Sequence, residues 1–293
     1  MRIVSLIPSA TEIAFALGVG DQVVGVTFEC DYPPDPRVGR AVVVGGLDTH
    51  GLDAAAIDAL VREKVAAGQL LYTLDEEQFR ALDPEVVLTQ DLCRVCALPS
   101  GQVDEAIDRL GCSAAVVTLD PHTVDQVLTT IVDVGDATGS TAAAEALVGS
   151  LRARLDAVAD HVESLARQRV FVLEWPDPPF VAGHWVPELV ELAGGEAVLA
   201  LPGERSVPTT WADIAAAEPD VVVVSSCGFD VHGSAQHAAE VLDRLPEGCA
   251  VWAIDANGLM VRPGPRIVDG VETLAALLHG IAPVDPVCAI RVR

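Results

Sequence analysis

Short runs of β-branched residues alternate with amphipathic stretches along the chain, and this alternation limits the possible folds more than any other feature. Such alternation is typical of parallel sheets covered by helices. In the first half it predicts strands at residues 2–7, 23–27, 70–74, 86–89 and 115–119 and helices at 9–18, 53–66, 76–82, 102–110 and 123–137. In the second half it predicts strands at 170–174, 220–225 and 250–254 and helices at 186–194, 210–217, 235–244 and 265–279. The sequence therefore predicts the α/β class.

One long helix is predicted in the middle of the chain, because residues 141–168 contain no proline and only one early glycine. Apolar residues recur there every three or four positions, at Leu147, Leu151, Leu155, Val158, Val162 and Leu165. A chain of 293 residues is long enough for two domains. We therefore expect two Rossmann-like lobes with parallel sheets, at residues 1–139 and 169–293, joined by a long helix at 140–168.

The net charge of −25 argues against several classes of partner. Nucleic acid and anionic membranes would be repelled, so neither is expected to bind. Each apolar stretch is interrupted before it reaches the roughly 18–20 residues that span a bilayer, which predicts no membrane insertion. The N-terminus enters a predicted strand directly and shows no signal-peptide pattern. We expect a cytoplasmic protein as the sequence stands, or an extracytoplasmic one if a leader precedes this start.

The segment from Glu174 to Trp185 is the strongest candidate for a functional site, because it directly follows the predicted strand at 170–174. It contains two of the four tryptophans, Trp175 and Trp185, together with His184 and several prolines. Loops at strand ends commonly bind ligands, and aromatic rings on a stiff loop favour that interpretation. The alternative is that both tryptophans are hydrophobic plugs that cap the sheet. The other histidines are interpreted as solvent-facing or hydrogen-bonded side chains.

Other predicted strands in the first lobe also end in polar loops. Ser9 and Glu12 have capping-box spacing, so a helix is predicted to begin at Ser9 and to present free N–H groups to a ligand near Thr11. Two further loops, at residues 27–34 and 89–96, follow strands of the same lobe. These loops are therefore candidate contributors to a binding site.

The second lobe repeats this arrangement. A polar segment at 225–229 follows the predicted strand at 220–225, and Arg262 and Arg266 precede the final helix. An arginine at this position either neutralises a carboxylate or phosphate of a ligand or is an ordinary surface residue.

Cys93 and Cys96 form a C-x-x-C pair, which indicates a redox dithiol, half of a metal site or two partly buried free thiols. A zinc site needs more ligands than this pair supplies, and Cys30 or His184 would have to complete it in the folded chain. The candidate metal ligands are therefore Cys93, Cys96 and His184. The chain contains no nucleophile elbow, phosphate-binding loop or H-E-x-x-H motif. A binding protein without catalytic residues is favoured over a thiol-dependent or metal-dependent enzyme.

Several segments together resemble the substrate-binding proteins of ABC importers for vitamin B12 and iron siderophores. They are the opening segment at 2–13, the strand at 24–27, the long middle helix and the closing segment at 262–266, so the resemblance spans the whole chain. The loops at 89–96 and 174–185 are similar to those of a narrower subgroup, the cobalamin-binding proteins. The resemblance implies two lobes joined by a rigid helix, a ligand cleft between the lobes and no enzymatic reaction.

The same resemblance implies which residues bind the ligand. The matching positions are Ser9, Thr11, Tyr32, Gln90, Asp91, Trp175, His184, Trp185 and Phe229. The implied ligand is a corrinoid such as cobalamin, whose apolar faces suit aromatic rings and whose amides suit polar groups at strand ends. Haem, a siderophore or another metal chelate is the alternative ligand. No catalytic cofactor is implied. The implied partner is an ABC transporter permease, and the alternative role is that of an intracellular carrier.

Overall fold

The computed structural model describes residues 1–91, 101, 103, 105–107 and 113–293. Contacts divide the chain into two units. The N-terminal unit contains Met1–Pro121 and Gln126–Gly149, and the C-terminal unit contains His122–Asp125 and Ser150–Arg293. Each unit has its own parallel-rich sheet with helices, which confirms the predicted α/β class with two lobes. The finer division into residues 1–139, 140–168 and 169–293 stays a prediction.

The N-terminal unit is built on a six-stranded sheet. Its strands are β1 (Ile3–Ser5), β2 (Val23–Thr27), β3 (Ala41–Gly45), β4 (Thr73–Leu74), β5 (Val86–Thr89) and β6 (Ala115–Thr118). Their order is β4-β3-β2-β1-β5-β6, and neighbouring strands are parallel except for the antiparallel pair of β3 and β4. The helices described in this unit are α1 (Pro8–Ala16), α2 (Ala54–Ala66), α3 (Glu76–Leu82), most of α4 (Val124–Thr138) and the first part of α5 (Thr141–Val162).

β3 is missing from the predicted strands, because its run of three valines is short and follows a proline-rich stretch. The strand forms because Val43 and Val44 are buried in a hydrophobic cluster with Val4, Phe79 and Val87. Of the strand predicted at 70–74, only Thr73–Leu74 forms, as β4. The helix predicted at 102–110 lies largely outside the described residues.

The C-terminal unit is also built on a mostly parallel sheet. Its strands are β7 (Arg169–Pro176), β8 (Pro179–Val181), β9 (Gly183–His184), β10 (Glu196–Ala197), β11 (Leu201–Pro202), β12 (Val221–Val224), β13 (Ala250–Ile254) and β14 (Ala289–Arg291). The main sheet has the order β10-β7-β12-β13-β14, β8 pairs with β7, and β9 pairs with β11 in a separate small sheet. β7, β12 and β13 are mutually parallel, so their carboxyl ends lie at one edge.

The helices described in the C-terminal unit are the rest of α5, α6 (Val186–Leu192), α7 (Trp211–Ala216), α8 (Val231–Glu240), α9 (Ala256–Leu259) and α10 (Ile267–His279). α8 begins at Val231 rather than at the predicted residue 235, because the carboxylate of Asp230 caps it by accepting a hydrogen bond from the N–H of Gly233 at 2.9 Å. Within the described part of the chain, no helix combines the length and apolar character needed to cross a membrane.

The long helix α5 ends at Val162 rather than at the predicted residue 168. Arg154 attaches it to α10, where the guanidinium donates to Glu272 at 2.8 Å and also pairs with Asp269. These contacts join two helices of the C-terminal unit by a charge-assisted network.

The segment from Glu174 to Trp185 is not a loop, contrary to the prediction. β7 continues to Pro176, and β8 returns antiparallel to it, with Trp175 opposite Phe180. The small sheet of β9 and β11 follows directly. Backbone hydrogen bonds therefore set the positions of the side chains in this segment.

The acidic composition is expected to make the stability of the fold depend on salt. The chain has 43 Asp and Glu residues against 18 Lys and Arg, so charge repulsion opposes the compact state. Raising KCl from about 0.1 M to about 1 M shortens the Debye length from about 10 Å to about 3 Å and screens this repulsion. We expect the Tm to rise by roughly 5–10 °C, which corresponds to about 2–3 kcal/mol for a protein of this size.

Sucrose at the same osmolality is the control for this salt series, because it favours burial without screening charge. Differential scanning fluorimetry measures both series. An equal rise in sucrose, or no rise in KCl, would contradict the role assigned to charge repulsion.

Candidate functional site

The carboxyl edge of the C-terminal sheet brings together residues that are distant in sequence. Trp175 lies near the end of β7, Ser225 and Ser226 directly follow β12, and Asp255 directly follows β13. Phe229 lies between β12 and α8, where its backbone N–H donates to the carbonyl of Ser226 at 3.0 Å. This edge is where ligands bind in open parallel α/β sheets.

Three rings form a cluster at this edge, which we call the aromatic cluster: Trp175, Phe229 and His237. The ring centroids of Phe229 and His237 are 4.5 Å apart, those of Trp175 and His237 are 5.8 Å apart, and those of Trp175 and Phe229 are 6.0 Å apart. The tilted and edge-on geometries are those that aromatic rings prefer. Trp175 and Phe229 are half-buried, whereas His237 is buried.

Hydrogen bonds fix the orientation of two of these rings. His237 Nδ1 is hydrogen-bonded to the hydroxyl of Ser226 at 2.9 Å, and the indole N–H of Trp175 donates to the carbonyl of Asp177 at 3.1 Å. Burial lowers the pKa of His237, although nearby Glu240 acts in the opposite direction. The imidazole is therefore neutral near pH 7, and the cluster presents an uncharged aromatic surface.

His237 is the member of this cluster that sequence reasoning missed. The sequence predicts a solvent-facing or hydrogen-bonded side chain at this position; the structure shows a hydrogen-bonded one that is buried on α8, one turn from Ser234. Gly233 allows the ring of Phe229 to pack against the same helix, since a Cβ at that position would lie 2.6 Å from a ring carbon. The signal in the sequence is the helical spacing of Gly233, Ser234 and His237, which becomes readable only once the start of α8 at Val231 is known.

Glu174 precedes Trp175 in β7 and connects this strand to neighbouring segments. Its carboxylate accepts a hydrogen bond from the N–H of Gly183 at 3.2 Å and another from the hydroxyl of Ser206. These bonds connect β7 to β9 and to the segment that follows β11. Glu174 therefore holds the surrounding backbone in place.

Trp185 differs from Trp175, although both belong to the same predicted segment. It is 3% exposed, and its indole N–H donates to the carbonyl of Met260 at 2.7 Å. The hydrophobic-plug alternative therefore describes Trp185 better than ligand binding does. Its role as a ligand contact stays a prediction that its burial disfavours.

His184 lies beside Trp185 with a left-handed backbone, at φ 51°. Its N–H donates to the carbonyl of Glu204 at 2.6 Å, and its carbonyl accepts from the N–H of Gly203 at 2.9 Å. The His184 ring centroid is 5.7 Å from that of Trp185 and 5.9 Å from that of His122. Burial, and then the charges of His122 and Arg205, lower the pKa of His184.

In the N-terminal unit, the predicted capping box at Ser9 and Glu12 is wrong. α1 begins at Pro8, its N-cap is Ile7, and no side chain caps it. Proline is favoured at this first helical position because its missing N–H has no partner there in any case. The helix therefore begins one residue earlier, and Ser9 is a buried residue inside its first turn.

Thr11 is buried among other polar side chains and does not lie at the surface. Its hydroxyl donates to the hydroxyl of Ser5 at 2.9 Å and lies 3.1 Å from the Cys30 sulfur, which is also 3.4 Å from the hydroxyl of Thr27. Thr11 and Cys30 are both 0% exposed. Cys30 therefore belongs to a buried hydrogen-bond group in this unit.

The remaining N-terminal candidates differ in exposure. Tyr32 is 43% exposed, Gln90 is buried, and Asp91 is exposed. Asp91 follows β5, and its backbone N–H donates to the side chain of Asp120, which follows β6. Tyr32 and Asp91 are accessible to a ligand, and all three stay predicted contacts.

Comparison with known proteins identifies the family of this chain. Residues 3–247 match the family described as periplasmic binding protein. The chain belongs to the periplasmic binding protein family. The family resemblance predicted from the sequence is therefore confirmed.

Two relatives of this periplasmic binding protein extend over almost the whole chain. A vitamin B12-binding protein of Vibrio cholerae is 26% identical over 94% of this chain and 88% of its own length. A cobalamin-binding protein of Halobacterium salinarum is 28% identical over 95% of this chain and 69% of its own length. Among solved structures, a periplasmic heme-binding protein of Roseiflexus superimposes with a TM-score of 0.71 at 23% identity, covering 96% of this chain and 98% of the other, which shows the shared fold.

The candidate thiol ligands of this periplasmic binding protein, Cys93 and Cys96, lie outside the described residues. Among the residues that the structure does describe, no group of three or more His, Cys, Asp or Glu side chains is arranged to hold a metal ion.

Asp255, at the end of β13, lies near the two arginines identified in the sequence. It caps α9 by accepting from the N–H of Gly258 at 3.1 Å. Burial raises the pKa of Asp255, while that hydrogen bond and the charges of Arg266 and Arg262 act against the rise. The carboxylate thus partly neutralises both arginines, which reduces their attraction for an anionic ligand.

Proposed function

We propose that this periplasmic binding protein binds a corrinoid such as cobalamin and does not catalyse a reaction on it. The observation that carries the proposal is the aromatic cluster at the carboxyl edge of the C-terminal sheet. Trp175 and Phe229 are half-buried beside the neutral ring of His237, so together they offer an apolar surface to the face of a macrocycle. The names of the relatives from Vibrio cholerae and Halobacterium salinarum support the same class of ligand.

Haem is the second candidate ligand. It also presents a flat apolar face, which the aromatic cluster suits equally well. The structural relative from Roseiflexus is described as heme-binding. A comparison of the two macrocycles therefore belongs in the first experiment.

We also propose an ABC transporter permease as the partner. This follows from the resemblance to substrate-binding proteins of importers and from the family to which residues 3–247 belong. The family description supports the extracytoplasmic alternative for location, because an importer collects its substrate outside the cytoplasm.

Titration of the purified protein with cyanocobalamin and with hydroxocobalamin tests the corrinoid proposal, with haem as comparator. We expect saturable binding of about one corrinoid per chain, tighter than the binding of haem. Quenching of tryptophan fluorescence is expected because Trp175 would contact the corrin. Corrinoid recovered after incubation should be chemically unchanged.

Corrin absorption in the same titration tests how the ligand is held. We expect the same small band shift for both cobalamins, because His184 Nε2 is buried and inaccessible to the cobalt of a macrocycle. A shift specific to hydroxocobalamin would show ligation by the protein and contradict this geometry. Failure of both cobalamins to bind would overturn the corrinoid proposal, and tighter binding of haem would favour the second candidate.

A further inference from the structure

Asparagine occurs only once in this chain, at Asn257, and the fold places it at the carboxyl edge of the C-terminal sheet. It belongs to α9, whose N-cap Asp255 directly follows β13. The other three residues of α9 are buried, whereas Asn257 is half-buried. Its side chain is therefore the part of α9 that is accessible to a ligand at this edge.

A backbone hydrogen bond attaches Asn257 to the aromatic cluster. Its N–H donates to the carbonyl of Phe229 at 3.2 Å. Phe229 is held in turn by its own N–H, which donates to the carbonyl of Ser226 at 3.0 Å. Asn257 therefore adjoins the aromatic cluster and adds a neutral polar group beside its apolar surface.

Close packing around Gly258 fixes the position of Asn257. A Cβ at Gly258 would overlap a carboxylate oxygen of Asp255 and lie 2.5 Å from a guanidinium nitrogen of Arg266. The N–H of Gly258 also donates to the carboxylate of Asp255 at 3.1 Å. These contacts hold α9 against its neighbours, so the backbone of Asn257 is positioned before a ligand binds.

The charged groups near α9 compensate one another. Asp255 is attracted by the charges of Arg266 and Arg262. It is also repelled by Asp230, the N-cap of α8. The formal charges of these two carboxylates and two guanidinium groups cancel. The surroundings of Asn257 therefore suit a neutral hydrogen-bonding group of a ligand better than an anionic one.

The carboxamide of asparagine is complementary to another carboxamide. It has an acceptor oxygen and two N–H donors, so it exchanges a pair of hydrogen bonds with a primary amide. The periphery of a corrin carries acetamide and propionamide side chains, whereas the carboxylates of haem only accept hydrogen bonds. An asparagine beside the aromatic cluster therefore favours a corrin over haem.

We propose that Asn257 is a specificity-determining residue, which binds a peripheral amide of the corrinoid while the aromatic cluster contacts the face of the macrocycle. This role rests on the proposed function and identifies the part of the ligand that separates corrinoids from other macrocycles. Asn257 is not among the ligand contacts that the family resemblance implies.

Titration of the full chain with two corrinoids, followed by corrin absorption, tests this role. Cyanocobalamin carries peripheral amides, whereas cobyrinic acid heptamethyl ester carries esters, which accept hydrogen bonds but donate none. Asn257→Leu removes the carboxamide and keeps a side chain of similar size. We expect it to weaken the binding of cyanocobalamin about tenfold, because two hydrogen bonds are lost. The loss for the ester should be about threefold smaller, because its carbonyl groups accept only one of these bonds.

Two further variants serve as controls. Asn257→Gln retains a carboxamide and should bind cyanocobalamin within about threefold of the unmodified protein. Gln236→Leu removes an exposed carboxamide of α8, which is bonded to Glu240 at 3.1 Å, and should leave the affinity unchanged.

Three results would overturn the role of Asn257: equal losses for both corrinoids in Asn257→Leu, no loss of cyanocobalamin in that variant, or equally weak binding in Asn257→Gln. Failure of the unmodified protein to bind either corrinoid would instead overturn the proposed function.

Discussion

Replacement of Trp175 by alanine is expected to weaken cobalamin binding roughly 30-fold, or by about 2 kcal/mol, as is typical for loss of a tryptophan at the centre of a binding site. Trp175 is half-buried at the end of β7, and its ring touches both other members of the aromatic cluster. Removing the indole deletes the largest apolar surface of the cluster. Titration followed by corrin absorption measures the effect without relying on tryptophan fluorescence.

Trp252→Ala is the matched control for this prediction. Trp252 is also a half-buried tryptophan of the C-terminal sheet, where it contacts the guanidinium of Arg291 at 5.9 Å from the ring centroid. It lies on β13, outside the aromatic cluster. Trp185 is less suitable, because its buried indole is bonded to Met260 and its loss would disturb packing. Equal losses of affinity in the Trp175 and Trp252 variants, or none in Trp175→Ala, would refute the assigned contact.

The same glycine-to-alanine substitution is expected to have opposite effects on stability at two helical positions. Gly270 is buried in α10, and a Cβ there would overlap the carbonyl oxygen of Leu259 and lie 3.1 Å from its carbonyl carbon. Both atoms belong to the backbone and cannot rotate away. We expect Gly270→Ala to lower the free energy of unfolding by about 1–3 kcal/mol or more, as for other overpacked sites. The Tm should fall by roughly 3–10 °C.

Gly149→Ala provides the comparison. Gly149 is exposed in α5, and a Cβ there would meet nothing within 4 Å. Alanine in an open helical position is expected to stabilise by about 0.5–1 kcal/mol, because the unfolded chain loses conformational freedom and helix propensity improves. Thermal unfolding of both variants measures the two changes in stability. A stabilising Gly270→Ala would show that α9 and α10 adjust at low cost and would contradict the rigid contact between them.

Most regular elements were predictable because each depends on local periodicity. The run of four valines in β12 and the apolar residues that recur every three or four positions in α10 identify a strand and a helix without knowledge of neighbours. β3 was not predictable, because its three valines form a strand only where β2 and the hydrophobic cluster cover them. β8 and β9 were also missed, since their prolines and glycine indicate a loop until β7 and β11 supply partners.

The candidate site was predictable in part. Trp175 and Phe229 were both assigned to ligand binding from the sequence, and the fold places their rings 6.0 Å apart. His237 is not among the predicted site residues, because its helical spacing from Gly233 and Ser234 becomes readable only once the start of α8 at Val231 is known. Thr11 is a predicted ligand contact, but its hydroxyl is hydrogen-bonded to Ser5 and Cys30 inside the N-terminal unit.

The sequence by itself determined the α/β class, the long middle helix and the family, because periodicity and motifs are local properties that can be recognised from the order of residues alone. The tertiary structure alone decided which tryptophan is buried and which stays half-exposed, because Trp175 and Trp185 have similar sequence surroundings and different neighbours in space. It also decided that Asn257 adjoins Phe229. Contacts between residues so far apart in sequence arise only when strands and helices pack, since burial and hydrogen bonding are summed over the whole unit.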